Sequence, residues 1–352
     1  MNCKHKKRSR GVVYSMTNAA GTNQVVALRR SINGRLSFLN SYPTGGSGTG
    51  QATVDPLASQ GSVILSRRGR YLFNVNAGSN TISSFRVSHH GKLTLLDVES
   101  SGGIRPNSLA QFRQLLFATN VGDATHTSNV TGFRIENDGS LTFIGSNPLS
   151  TTSAQPSCVV FSPNGRLLVV SELSTNKLSV YQVNSDGTLS GPTVNNSNGN
   201  GPFGSVFLSR GFLLVSESGP NALSSYTADL SGTLTVVSGS VLNGQQATCW
   251  VAVSKSERFA YTANAGNGTI TTYRIRRNGR LFVLDTVFST LLGTGAPIDS
   301  GVSRDGRNFY TLNGNQGSVS VFRIRKDGRL VRLQVFENTG LPELGAQGLA
   351  VL

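Results

Sequence analysis

Short apolar runs separated by turn-forming clusters recur along the whole chain. Cys158-Val159-Val160-Phe161 is followed by Ser162-Pro163-Asn164-Gly165-Arg166 and then by Leu167-Leu168-Val169-Val170. Asn-Gly and Asp-Gly supply the positive-φ positions that tight hairpins need, so such paired runs predict antiparallel strands. A third segment alternates polar and apolar positions, as in Thr269-Ile270-Thr271-Thr272-Tyr273-Arg274-Ile275, the period of a half-buried strand. A fourth opens each time on the phrase Gly-x-Leu, whose glycines are Gly34, Gly91, Gly139, Gly187, Gly232, Gly279 and Gly328. The intervals between them are 57, 48, 48, 45, 47 and 49 residues. Four strands repeating at such a period predict an all-β, seven-bladed β-propeller with four antiparallel strands per blade.

The ends predict how the ring closes. The first unit begins directly on a second strand, Val12-Val13-Tyr14-Ser15, and Gly348-Leu349-Ala350-Val351-Leu352 matches the missing inner strand. The C-terminal strand is therefore expected to join the N-terminal blade, leaving no exposed edge there. Residues 11–352 read as one propeller domain, because a blade cannot bury its faces without neighbours. Residues 1–10 read as a basic, disordered tail. No apolar segment follows it, so a cytoplasmic location is favoured over export, although sequons at Asn129, Asn195 and Asn267 would suit secretion. Composition fits this picture: 41 glycines and only 14% charged residues in 352 suit a turn-rich all-β chain. No stretch approaches the length of a transmembrane helix. Three scattered cysteines and four histidines without ligand spacing imply neither a disulfide framework nor a metal, and no cofactor is expected.

The segments 161–170 (Phe-Ser-Pro-Asn-Gly-Arg-Leu-Leu-Val-Val) and Phe259-Ala260-Tyr261-Thr262-Ala263-Asn264 are similar to the YVTN-type repeat. Over all seven units the chain resembles the seven-bladed β-propeller lactonases, a 6-phosphogluconolactonase-like family. The resemblance implies a propeller fold, and an activity ranging from lactone hydrolysis to none. Active members carry His after Pro-Arg on an inner strand, with an acidic residue at the end of the second strand. The matching stretch here is Pro156-Ser157-Cys158, which has neither the Arg nor the His.

Propeller ligands are expected at the mouth of the central channel, so the strand ends nearest the axis are the candidate positions. The last residue of the second strand reads Asn18, Asn76, Asn120, Glu172, Glu217, Asn264 and Asn313 around the ring. Asparagine there caps turns, and it can also bind a ligand; Asn76, Asn120, Asn264 and Asn313 are candidates. Glu172 and Glu217, on adjacent blades, are candidate catalytic carboxylates, because paired carboxyls can supply one acid and one base. Arg105, beside Pro106, is the candidate electrophile for an acyl oxygen. On the inner strands, Asp299 is the sole charge and Trp250 the sole aromatic of the aligned ring, and both are candidate ligand contacts. Trp250 suits stacking on a sugar face or plugging the channel. Cys158, with no histidine to activate it, reads as a small buried hydrophobe.

Charge adds a second candidate surface. The chain carries 32 Lys and Arg against 17 Asp and Glu, a net charge of +15. The cations Arg274, Arg276 and Arg277 of the sixth blade, with Arg323, Arg325 and Lys326 of the seventh, predict an anion-binding sector continued by Arg29, Arg30 and Arg35. Two functions follow: binding and metal-independent hydrolysis of a small polar or sugar-derived lactone in the funnel, or non-catalytic binding of nucleic acid, anionic glycan or a protein partner on the basic sector. The closed ring is expected to be a monomer.

Overall fold

The computed structural model describes residues 11–352, so the basic tail at 1–10 lies outside the described residues. Twenty-eight strands form seven four-stranded antiparallel sheets arranged as a propeller. Each fourth strand begins at the leucine of the repeated phrase, from Leu36–Pro43 in the first blade to Leu330–Phe336 in the seventh. The second strands are buried along all or nearly all of their length, as in Leu167–Glu172, because neighbouring blades cover both faces. The third strand Thr269–Ile275, whose alternation predicts a half-buried strand, is buried at all but Arg274, because its small polar residues also pack between blades. The fourth strands are exposed or partly buried beyond their leading leucine, as in Leu281–Phe288, so burial falls from the axis outward.

The ring closes as expected. Gln347–Val351 pairs antiparallel with Gly11–Met16, in register Val13 to Val351 and Tyr14 to Ala350. A buried ion pair adds to this seam between first and seventh blades. The Arg30 guanidinium meets the Asp305 carboxylate at 2.8 Å and donates to Tyr310 Oη at 2.8 Å and Asn308 Oδ1 at 2.9 Å. Burial works to raise the Asp305 pKa, but the Arg30 and Ser303 donors outweigh it and hold the carboxyl down to about 2.

The repeated glycines are the contact points between blades. All seven have positive φ, between 74° and 98°. A β-carbon on Gly328 would lie 2.3 Å from the Phe259 ring, and one on Gly139 would lie 2.7 Å from Tyr71, residues of the blade before. The glycine carbonyls accept hydrogen bonds across the same seam: Tyr14 to Gly91 at 2.8 Å, Tyr261 to Gly328 at 3.0 Å and Tyr310 to Gly34 at 2.9 Å.

The first interval of the repeat is the longest, and its extra residues build a feature of their own. The segment 51–61, between the first and second blades, folds over the axis and closes the channel at the end where the inner strands begin. Its backbone and side chains reach all the other blades. Ser59 Oγ donates to Asn107 O (2.8 Å), Gln60 N to Ser157 O (2.9 Å) and Gln60 Nε2 to Ser205 O (3.2 Å). Val251 N donates to Gln60 Oε1 (2.8 Å), Gly61 N to Asp299 Oδ1 (3.2 Å) and Gly345 N to Thr53 O (2.9 Å).

Three outcomes are expected. Gly328→Ala destabilises by about 2–5 kcal/mol, from left-handed backbone strain plus overpacking against Phe259. Gly145→Ala, with nothing within 4 Å of its added β-carbon, stays within about 1 kcal/mol of the parent in urea denaturation. Asp305→Asn lowers stability at neutral pH by about 1–3 kcal/mol. Because the folded pKa is depressed, that difference is present above the unfolded value of about 4 and shrinks as pH falls toward about 2, measurable by urea titration across that window.

Candidate functional site

The aligned residues at the ends of the second strands turn out to fasten the third strands and the loops between blades. Asn264 Nδ2 donates to Thr269 and Thr271 hydroxyls at 3.0 Å each, and Asn313 Nδ2 to Ser318 and Ser320 at 2.9 Å each. Asn76 does the same with Thr81 and Ser83, and Asn120 with Asn129 and Thr131. Asn18 instead grips Thr49, where the chain approaches the axial segment. The Nδ2 groups of these amides are engaged within the fold, whereas Asn120 Oδ1 and Asn313 Oδ1 have no hydrogen-bond partner in the protein.

Glu172 and Glu217 are fully buried and reverse the polarity of the same contact. Glu172 accepts from Ser179 Oγ at 2.5 Å, Thr175 Oγ1 at 2.8 Å and Ser150 N at 3.0 Å, and also from the Ser150 hydroxyl. Glu217 accepts from Ser240 Oγ at 2.6 Å and Gly199 N at 2.9 Å. Ser179 stands where a hydroxyl receives from asparagine in other blades and here donates to Glu172, whereas Glu217 draws its donors from the loop before its blade and from the fourth strand. The two carboxylates share no hydrogen-bond partner, and each clasps the loop entering its own blade. Arg105 is exposed on the loop entering the third blade, at φ +57°, with its amide on Asn80 Oδ1 at 2.8 Å. It forms no ion pair with either glutamate.

The structure does bring Asp299 and Trp250 together, through the axial segment. Trp250 is buried, packs edge-on against Phe203 and donates its indole N–H to Ser59 O at 3.0 Å. It anchors the closing segment, and its face is not open for a sugar to stack on. Cys158 lies under Gln60, whose amide is 4.0 Å from Sγ, and burial pushes the thiol up to about 12. The position matching the family's inner-strand histidine is therefore covered by the axial segment.

Asp299 sits at the same mouth, accepting Gly61 N on one oxygen and Gly348 N (3.1 Å) on the other. Burial pushes its pKa up to about 7; the Gly61 amide resists this, and the charge of Asp55 adds to the rise. Asp55, in the axial segment, is a residue that sequence reasoning missed. Burial pushes it up to about 7 as well, against the pull of the Gln347 amide and the amides of Ser59, Ala58 and Leu57. It remains half-buried, whereas Asp299, Gln347 and Ser62 are closed off from solvent. Beside this pair of carboxyls the Ser62 hydroxyl has no hydrogen-bond partner within the protein, so the cluster under the axial segment is polar without being fully paired. The sequence signal for it was the first interval of 57, the one departure from an otherwise regular period.

The predicted anion-binding residues Arg274, Arg276, Arg277, Arg323, Arg325 and Lys326 are all exposed. Arg30 of the same sector is buried in the closing seam, and Arg329 leans on Asp327 and Asp285.

Comparison with known proteins agrees with this architecture. The sequence profile described as "Lactonase, 7-bladed beta-propeller" matches residues 5–120, 109–205 and 216–345. No curated protein matches the chain in sequence. Among solved structures it is similar to the periplasmic gluconolactonase PpgL of Pseudomonas aeruginosa, with TM-score 0.79 and 18% identity over 97% of this chain and 99% of that one. It is also similar to a Bacteroides fragilis protein provisionally assigned as a 6-phosphogluconolactonase, with TM-score 0.74 and 16% identity over the full length of both. At such identities these likenesses speak for the fold alone. The profile match over most of the chain, on a ring of seven four-stranded blades, places this protein in the seven-bladed β-propeller lactonase family.

Proposed function

We propose that the chain hydrolyses a small, sugar-derived lactone at the axial mouth, with Asp55 as general base. The observation that carries this is a carboxyl at the mouth of a lactonase-family propeller, partly open to solvent and with its pKa raised by burial to about 7. A base titrating near the working pH combines a useful ionised fraction with real proton affinity. In the reaction, ionised Asp55 takes a proton from water as the water oxygen bonds to the lactone carbonyl carbon. The ring C–O bond then breaks, and the departing oxygen takes that proton back, giving the open hydroxy acid. Asp299 does not reach solvent and acts as a positioning residue. It holds Gly61 and Gly348, and its charge raises the proton affinity of its neighbourhood. Glu172 and Glu217 support the mouth by fixing the loops around it. Gluconolactonase is the activity named for one protein of similar fold, and it sets the first substrates to try.

Release of acid from a panel of sugar lactones tests the reading. Turnover above the spontaneous rate is expected, falling roughly 10²- to 10⁴-fold in Asp55→Asn. The expected kcat/KM rises with pH and levels off above about 7. Asp299→Asn moves that inflection downward while leaving measurable turnover, a shift that a merely structural residue would not produce. Glu172→Gln and Glu217→Gln are expected to lower thermal stability more than kcat. Full activity in Asp55→Asn, or no turnover on any lactone, overturns the reading.

The same carboxyls give a stability signature that needs no substrate. Their folded pKa values lie above the unfolded value of about 4, so the folded state holds protons that the unfolded state has lost. Stability is therefore expected to fall as pH rises from about 4 to about 7, and to fall less in Asp299→Asn, by urea denaturation at a series of pH values.

A further inference from the structure

The cations of this chain are segregated by face, not merely by sector. In a four-stranded antiparallel blade, the turn from first to second strand and the turn from third to fourth lie on the same side of the disc. The axial segment lies on the opposite side. Among the described residues, every Lys and Arg except Arg105, Lys177 and Arg332 sits on or beside those two sets of turns. Every blade contributes, from Arg35 through Arg67, Arg113, Arg166, Arg210 and Arg277 to Arg325. The acids on this side are fewer, and four of them are occupied by their own turns: Asp138 by Ser140, Asp186 by Thr188, Asp229 by Ser231 and Asp327 by Arg329. The opposite face carries Asp55, Asp123, Asp299, Glu337 and Glu343, with Arg105, Lys177 and the Arg332 guanidinium, which is held on the Phe288 and Thr290 carbonyls, as its cations.

Several of these arginines are stacked on an aromatic ring below. Arg113 lies 5.4 Å from the Phe112 ring centre, Arg258 5.4 Å from Phe259, Arg210 5.8 Å from Phe212 and Arg276 5.3 Å from Phe282. The stacking orients planar guanidinium forks that match phosphate oxygens. It also covers the aromatic faces that a single-stranded nucleic acid would need for base stacking. Apolar groups stand among the cations. Ile32 and Leu230, at the tips of third-to-fourth-strand turns, are 56% and 62% exposed. A hollow of about 480 Å³ at the axis is lined by Ile64, Leu65, Phe112, Val160, Phe161 and Val206.

We propose that this turn face docks on an anionic phospholipid surface. Cations spread over a whole disc, rather than along a groove, complement an extended plane of phosphates. Exposed Ile32 and Leu230 give that plane something to bury. Each cation near an anionic bilayer strengthens partition by about fivefold, and apolar tips add the short-range part of the affinity. The mouth carrying Asp55 then faces away from the membrane, so docking and lactone turnover are separable.

Co-sedimentation of the full chain with phosphatidylcholine vesicles, with and without phosphatidylglycerol as roughly a third of the lipid, tests the proposal. Pelleting with the anionic vesicles alone is expected, weakening as salt rises. The variant Arg67→Glu/Arg68→Glu/Arg276→Glu/Arg277→Glu is expected to lose it by more than about 100-fold, with an unchanged melting temperature because these side chains are exposed. Ile32→Ser/Leu230→Ser is expected to weaken it severalfold while leaving low-salt retention on heparin intact. No preference for anionic vesicles overturns the proposal. So does pelleting that ignores Ile32 and Leu230 and is abolished by short duplex DNA, which would mark a site for soluble polyanions instead.

Discussion

At six of the seven seams the gap between adjacent blades admits a glycine α-carbon and no β-carbon, and the rest of the ring is set by that clearance. At each seam the glycine before the fourth strand lies against side chains of the blade behind it, such as Phe259 against Gly328 and Leu115 against Gly187. Where a tyrosine hydroxyl reaches the same glycine carbonyl, the contact is directional as well as close. Non-directional burial alone would let two flat sheets slide. A hydrogen bond to one backbone carbonyl fixes their stagger. Repeating that stagger seven times brings the last blade to the first at a spacing where Arg30 can reach Asp305, Tyr310 and Asn308.

Most of the fold was legible in the sequence because its determinants are local. Hairpin turns announce themselves through Asn-Gly and Asp-Gly, strand type through hydrophobic period, and closure through the missing first strand. The site was less legible because its determinants are not local. The aligned glutamates look exceptional in a column of asparagines. Only the fold shows that Glu172 faces Ser150 and Glu217 faces Gly199 and Ser240, donors that no spacing rule points to. Trp250 read as a stacking face or as a channel plug, and the choice between them depends on Ser59, almost two hundred positions away in the chain, which takes its indole N–H. Segment 51–61 has no strand period and no motif, so its role showed only as an interval out of step.

Charge was legible in part for a similar reason. Counting arginines blade by blade marks a dense sector from sixth to first. Assigning them to a side of the disc requires following strand direction through all twenty-eight strands. Once this is done, the molecule has two unlike ends. One carries buried carboxyls under a closing segment, and the other carries stacked guanidinium groups around an apolar hollow. Strands of every blade run between the two ends, and some inner strands change character on the way. Ser108 and Ser157 lie near the starts of theirs, and Phe112 and Phe161 at the ends.

The closing segment also has a geometric consequence. Seven blades of one template are nearly equivalent by rotation, and a ligand lying on the axis of such a ring would meet the same surroundings at every seventh of a turn. A single inserted loop, rooted between the first and second blades and crossing toward the others, removes that degeneracy. It gives the disc one bearing, like the hand of a clock. A molecule arriving at that end meets Asp55 on one side and the bare rims of other blades on the other, so chemistry there has a unique azimuth that the underlying sevenfold pattern could never supply.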